Sequence, residues 1–197
     1  MKIKEHFEKD KIWFTSDTHF GHTNIIDYLH RPFTDIKTMN QVIVDNWNSL
    51  VKPDDVVFHL GDFAITNTKT VKHIINSLNG TIHLIKGNHE KTVFKPKHVR
   101  EMFESVSDIL EITVIDDELG LGFIPIVMCH YPMLSWNKKI HGSWHLYGHV
   151  HGRLDHYHPN AIDVGVDIRN FCPMYYQEIK TLITKRNLNE KSLDIHD

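Results

Sequence analysis

Ile12-Trp13-Phe14-Thr15-Ser16-Asp17-Thr18-His19 passes in one step from an apolar run to polar residues. A short run rich in β-branched and aromatic residues, ended by polar ones, reads as a buried strand. The construction recurs along the chain. Val56–Leu60 leads into Gly61-Asp62-Phe63, and Thr81–Ile85 with Lys86 leads into Gly87-Asn88-His89-Glu90. Phe123–Cys129 leads into His130-Tyr131-Pro132, and His145–Tyr147 into Gly148-His149-Val150-His151. Open α/β sheets bind ligands outside the carboxyl ends of their strands. Strand ends that each deliver Asp, Asn or His can therefore converge on one place.

Helical spacing fills the gaps between the early strands. Asp35 opens a segment with Ile36, Met39, Ile43, Trp47 and Leu50 on one face, closed by Pro53. Asn67–Leu78 repeats the pattern with Val71, Ile74, Ile75 and Leu78, and Pro96–Phe103 is a shorter candidate. Beyond about residue 105 the pattern is mainly β. Val106–Leu110, Ile112–Ile115 and Ala161–Val164 read as strands, Asp116–Gly122 as a hairpin turn, and Pro125 as a weak start or a bulge. Pro173 marks a helix start ahead of Tyr176, Ile179, Leu182 and Ile183. The charge-rich ends, 1–11 and 185–197, read as solvated termini. A βαβαβ half followed by a β half predicts a single α/β (α+β) domain over 1–197, two sheets covered by helices.

Bulk properties exclude other classes. The 197 residues carry a net charge of −3, too small for a disordered chain and without the basic excess of a non-specific nucleic-acid binder. Cys129 and Cys172 form no metal or disulfide framework. No apolar stretch is long enough for a membrane span, and Met1–Phe14 lacks a signal-peptide core. The expectation is a cytoplasmic protein without membrane association. The 17 histidines are many, but a count alone assigns no role.

Imidazole together with carboxylate and amide oxygen suits zinc, manganese, iron or nickel rather than calcium or magnesium. A paired site needs a bridging carboxylate. Asp62 is the natural bridge, because Gly61 lets the backbone approach closely.

The ordered set Asp17-Thr18-His19, Gly61-Asp62, Gly87-Asn88-His89-Glu90, His130 and Gly148-His149-Val150-His151 resembles the calcineurin-like metallophosphoesterase superfamily, over roughly Ile12–Asp167. The stretch Asp17–Asn24 with Gly165-Val166-Asp167 is similar to a branch of small bacterial and phage phosphoesterases. The resemblance implies a four-layer α/β/β/α sandwich. It implies one metal on Asp17, His19, Asp62 and His151 and a second on Asp62, Asn88, His130 and His149. The pair would be divalent transition metals, manganese first, with iron, nickel or zinc as alternatives. His89 matches the family's non-ligand histidine, which contacts phosphate and protonates the leaving oxygen. The absence of an arginine after Gly61-Asp62 speaks against the protein-phosphatase branch, and His89 against the lipid-A-pathway branch. The expected reaction is hydrolysis of phosphate mono- or diesters of small, nucleotide-like molecules. The attack is in line, by a metal-bridging hydroxide, with Asp62 and His89 as the catalytic pair.

Around this core lie residues with two readings each. His22 and Asn24 are candidate contacts to substrate, His22 alternatively capping the next helix or packing. Arg31 is a candidate phosphate contact or a surface ion-pair partner. His59 orients a ligand or simply packs in the sheet. Asp167 supports the site or ends a strand. Trp136 and Trp144 stack a nucleobase across Asn137–Ser143 or anchor that loop. His156 and His158 have no assigned role, and His196 reads as surface. The competing functions are a metal-dependent nuclease and a metal-bound scaffold without catalysis; metal storage fits an ordered motif set poorly. Oligomeric state is not readable.

Overall fold

The structure, a computed structural model, describes residues 1–90, 95–119, 122–154 and 157–193. In chain order, β1 (Lys2–Glu8), β2 (Ile12–Thr15), α1 (Asn24–Tyr28), α2 (Ile36–Leu50) and β3 (Val56–His59) come first. Then follow α3 (Thr68–Ser77), β4 (Thr81–Ile85), α4 (Lys97–Arg100), β5 (Ser105–Ser107) and β6 (Ile109–Ile115). The last are β7 (Phe123–Cys129), β8 (Trp144–Tyr147), β9 (Ala161–Asp163), β10 (Met174–Tyr175) and α5 (Tyr176–Leu193). His156, His196 and part of the expected 116–122 turn lie outside the described residues.

Two sheets form, in the orders β10-β2-β3-β4-β5 and β1-β6-β7-β8-β9. In the first, β2 to β5 run parallel, so their carboxyl ends share one edge. In the second, β7, β8 and β9 are parallel and β6 is antiparallel to β7. Strand alternation sorts the side chains. Phe14, Phe58 and Ile85 of the first sheet pack with Ile112, Ile126 and Leu146 of the second in one core. Val57, Ile82 and Leu84 face the other way, onto Met39, Ile43 and Trp47 of α2 and Val71 and Ile75 of α3. Both helices begin as the sequence indicates. Asp35 accepts a hydrogen bond from Thr38 N at 2.9 Å, and Asn67 from Thr70 N at 3.0 Å.

The second sheet's outer face carries Val127, Tyr147 and Ala161, covered by Trp136 with Met133, Val150 and Tyr157 from loops. Helix α5 instead packs Tyr176, Ile179 and Ile183 into the core between the sheets. It is tied there by Asp116, whose carboxylate accepts from Tyr176 Oη (2.9 Å) and Lys180 Nζ (2.6 Å).

Three expectations change. The first residues are not a solvated end: Lys2–Glu8 is a strand parallel to β6, with Phe7 buried. Val106–Leu110 is not one strand: the chain leaves the first sheet at Ser107 and enters the second at Ile109. Pro125 makes no bulge. It stays in register with Thr113, and pairing to β8 begins only at Ile126, so its missing N–H falls where β7 is an edge. Among the described residues no helix is long and apolar enough to cross a membrane.

Candidate metal centre

The loops after β2, β3, β4, β7 and β8 are stitched together by their own main chain. Asp17 N donates to Gly61 O (3.0 Å), His19 N to Asp62 O (2.9 Å) and Gly148 N to His130 O (3.0 Å). His149 N donates to Asp17 Oδ2 at 2.9 Å, and His89 N to Asp62 Oδ1 at 3.0 Å. A Cβ on Gly61 would stand 2.6 Å from Gly87 N and 2.7 Å from His130 Nδ1, so only glycine lets these loops meet. Asp17, His19, Asp62, His149 and His151 all have positive φ, between 50° and 69°. Left-handed backbone costs a non-glycine residue roughly 1–2 kcal/mol. Five such residues converging on one spot mark strain concentrated at a site.

Two groups of donors result. In each of the sets Asp17–His19–His151 and Asp62–His130–His149, one ligand atom per residue lies within 4.8 Å of the others. Asp62 Oδ2 lies 3.6 Å from His19 Nε2 and 3.5 Å from His130 Nε2, so one carboxylate oxygen faces both groups. Asn88 Oδ1 is 3.1 Å from His130 Nε2 and joins the second group.

The donor set fits divalent cations. His19 Nε2 is buried and has no hydrogen-bond partner, a costly state for a polar atom unless a cation takes it. Burial holds the His19 imidazole well below its ordinary pKa, hence neutral and able to ligate. Burial pushes the Asp17 carboxyl up to about 6, against the pull of His151 and His130. Burial works the same way on Asp62, but the imidazoles of His130 and His19 outweigh it and hold that carboxyl below the usual range. Two further imidazoles have their Nδ1 atoms held by an acceptor, which leaves Nε2 to take a cation. His130 Nδ1 lies 2.8 Å from Leu60 O, and His151 Nδ1 lies 2.7 Å from Asp167 Oδ2.

No protein-family model matches the chain. It is 34% identical over 183 residues to the uncharacterized protein MJ1445 of Methanocaldococcus jannaschii, covering 89% of this chain and 92% of that one. The chain belongs to the MJ1445 family. It is also 27% identical over 179 residues to the gene 66 protein of Mycobacterium phage L5, across 79% of this chain and 86% of the phage protein. Among solved structures it matches the protein of unknown function AQ665 from Aquifex aeolicus with a TM-score of 0.67 and 26% identity, across 87% of this chain and 98% of that one. The Pseudomonas putida nuclease MPE aligns with a TM-score of 0.44 and 17% identity, over 72% of this chain and 61% of the nuclease.

In this member of the MJ1445 family the other candidates fall into place around the two groups. His89 is exposed and stands with Nε2 3.8 Å from Asp62 Oδ2, at the mouth of the site. His22 lies behind His19, their Nδ1 atoms 3.2 Å apart. Asn24 is exposed at the start of α1. Arg31 requires correction: it is neither a phosphate contact nor a surface residue. It is 4% exposed, and all its donors are engaged. Nε and Nη2 bond Asp167 (both 2.8 Å), Nη2 also bonds Asp17 O, and Nη1 bonds Thr18 O and Met39 Sδ. Arg31 therefore fixes Asp167, which fixes His151. Trp136 and Trp144 are both buried, Trp144 stacked on Tyr176, so neither offers a face to a nucleobase.

Two carboxylates have no role assigned from the sequence, although Glu90 stands in its motif set. Glu90 accepts from Phe63 N (2.7 Å) and Gly87 N (2.8 Å), locking the β4 loop to the β3 loop. Burial pushes its carboxyl up to about 7. Asp163 accepts from Gly152 N and Gly165 N, both at 2.8 Å, and shapes the turn that carries His149 and His151. Glu90 follows Asn88-His89 directly, and that adjacency was its available signal; Asp163 sat inside an ordinary strand pattern. His59 joins the same framework, with Nε2 3.0 Å from Thr18 Oγ1 and Nδ1 accepting from Gly61 N.

Proposed function

We propose that the chain is a two-metal phosphoesterase of the calcineurin-like superfamily, hydrolysing small phosphate mono- or diesters of nucleotide-like character. The observation that carries this reading is Asp62 Oδ2, within 3.6 Å of an imidazole nitrogen from each donor group. We read the face-to-face sheets with their helices as the α/β/β/α sandwich of that superfamily, folded as one domain. Asp17, His19, Asp62 and His151 would hold one divalent ion; Asp62, Asn88, His130 and His149 would hold the other, with manganese the first choice. Bound there, such ions acidify water and offset the charge of a phosphoryl group. Asp62 holds the two groups at a fixed separation. His89, anchored by its own N–H on Asp62 Oδ1, keeps an imidazole at the exposed mouth, where it protonates the departing alkoxide. Arg31, Asp167 and Glu90 prevent the loops from relaxing when substrate enters.

The test is metal-stripped protein supplied in turn with manganese, nickel and zinc. Each form is assayed on bis-p-nitrophenyl phosphate, p-nitrophenyl phosphate, cyclic nucleotides and single-stranded DNA. Turnover of small esters with at least one metal is expected. Turnover of DNA alone would make the protein a nuclease, and turnover of nothing with any metal would leave a scaffold.

A further inference from the structure

His22 lies outside both donor groups yet touches a member of one. The contact is built by a tight turn. His22 N donates to His19 O at 3.0 Å. Gly21 sits at φ 76°, where an added Cβ would stand 2.5 Å from Thr66 Cβ. Asn40 Oδ1 accepts from Gly21 N at 3.1 Å. The turn lays the His22 ring against His19, centroids 5.2 Å apart, with the two Nδ1 atoms at 3.2 Å.

One proton must lie between those two nitrogens, and the chemistry of His19 decides whose it is. His19 Nε2 faces Asp62 from a buried position with no hydrogen-bond partner. If that atom is to ligate a cation, it carries no hydrogen, so the neutral ring holds its proton on Nδ1. Nδ1–H then donates to His22 Nδ1. His22, accepting there, holds its own proton on Nε2, on the far side of the ring. That ring is half-buried and stands 5.8 Å, centroid to centroid, from His89.

We propose that His22 is a two-ended relay. Nδ1 fixes His19 as an Nε2 ligand, and Nε2–H offers a hydrogen bond to a non-leaving oxygen of the bound phosphate group, beside His89. The second half rests on the phosphoesterase reading; the first needs only that the site takes up metal.

Two substitutions separate the ends. His22→Asn places an amide oxygen where Nδ1 lies and has nothing at Nε2. His22→Gln reaches the Nε2 position and leaves Nδ1 without a replacement. Manganese uptake is followed by equilibrium dialysis with elemental analysis. Inorganic phosphate binding to the manganese-loaded protein is followed by calorimetry, after circular dichroism has shown each variant folded. His22→Gln should weaken one of two manganese sites about ten- to a hundredfold, the usual effect of removing a partner behind a ligand, and spare the other. His22→Asn should keep both manganese sites and bind phosphate about tenfold more weakly, the loss of one hydrogen bond to a charged group. Equal manganese affinity in His22→Gln and the parent overturns the positioning half. Parental phosphate affinity in His22→Asn overturns the donor half. A parent protein that takes up no manganese, nickel or zinc overturns the reading of the site itself, and the relay with it.

Discussion

The two donor groups stand side by side with Asp62 Oδ2 facing both, yet they are braced by different materials. Around His19 and His151 the bracing is side chain on side chain, with His22 on His19, Asp167 on His151 and Arg31 on Asp167, and Asp17 beside them takes the N–H of His149. Around Asp62 and His130 the groups that hold the donors themselves are main chain, Leu60 O on His130 and His89 N on Asp62, while the Glu90 side chain holds the loops behind them at Phe63 N and Gly87 N. A side-chain brace comes from a residue that can be replaced, at positions as distant as 31 and 167. A main-chain brace survives nearly any substitution. The first group is therefore the adjustable half of the centre and the second the fixed half.

The strongest way to break that comparison is to remove what faces both halves. Asp62→Asn should reduce bound manganese from two ions to at most one and abolish turnover, read by elemental analysis and assay. Two ions retained would mean Asp62 does not bridge. His89→Ala comes next. It should keep both ions and slow hydrolysis of esters with poor leaving groups about a hundred- to ten-thousandfold, with a smaller loss on p-nitrophenyl esters. Loss of metal instead would place His89 among the ligands. Arg31→Met probes the difference between the halves directly. Breaking a buried pair should cost about 3–5 kcal/mol in thermal denaturation. It should weaken the first group's ion about ten- to a hundredfold while the second holds. Equal weakening of both ions would erase the distinction.

The smallest expected effect on metal is also the control. Asp116→Asn, beyond the far end of β6, should destabilise the fold without changing metal affinity. Burial raises the Asp116 carboxyl, but hydrogen bonds from Lys180 and Tyr176 outweigh it and hold the group below its ordinary 3.8. Its contribution is thus full at neutral pH and lost as pH falls below that value. Burial lowers Lys180, but its bonds to Asp116 and Glu118 outweigh that and hold it above its ordinary 10.5. That contribution is lost only as pH rises beyond 10.5. Between these limits the contribution of the pair is constant, so the difference in melting temperature between the parent and Asp116→Asn should hold steady there and shrink as pH falls below the lower one.

The elements near the site were legible because each is local. A strand followed by Asp, Asn or His needs only its own dozen residues to be read, and Asp35 and Asn67 cap the helices they precede. What escaped depends on distant partners. Lys2–Glu8 carries alternate charges that suit a solvated tail, and it becomes a strand only because β6 lies beside it. Val106–Leu110 carries the polar pair Ser107-Asp108 between its apolar ends, and such a pair does not by itself tell a step from one sheet to the other from one continuous strand. Arg31 pairs with a carboxylate 136 residues away. From sequence, an arginine on a loop near a phosphate motif cannot be told from one buried beneath it. Trp136 and Trp144 teach the same lesson, since an aromatic that stacks on substrate and one that fills a core have the same local signature.

The five candidate donor residues in left-handed backbone set two of the protein's optima apart. At each of those positions glycine would suit the main chain better than the aspartate or histidine that stands there. Selection for stability alone would drift the loops toward glycine and lose the centre; selection for the centre keeps the loops taut and the fold below its best attainable stability. A redesign that seeks a hardier protein should leave these turns alone and look to the outer faces of the helices, where added stability need not come at the expense of chemistry.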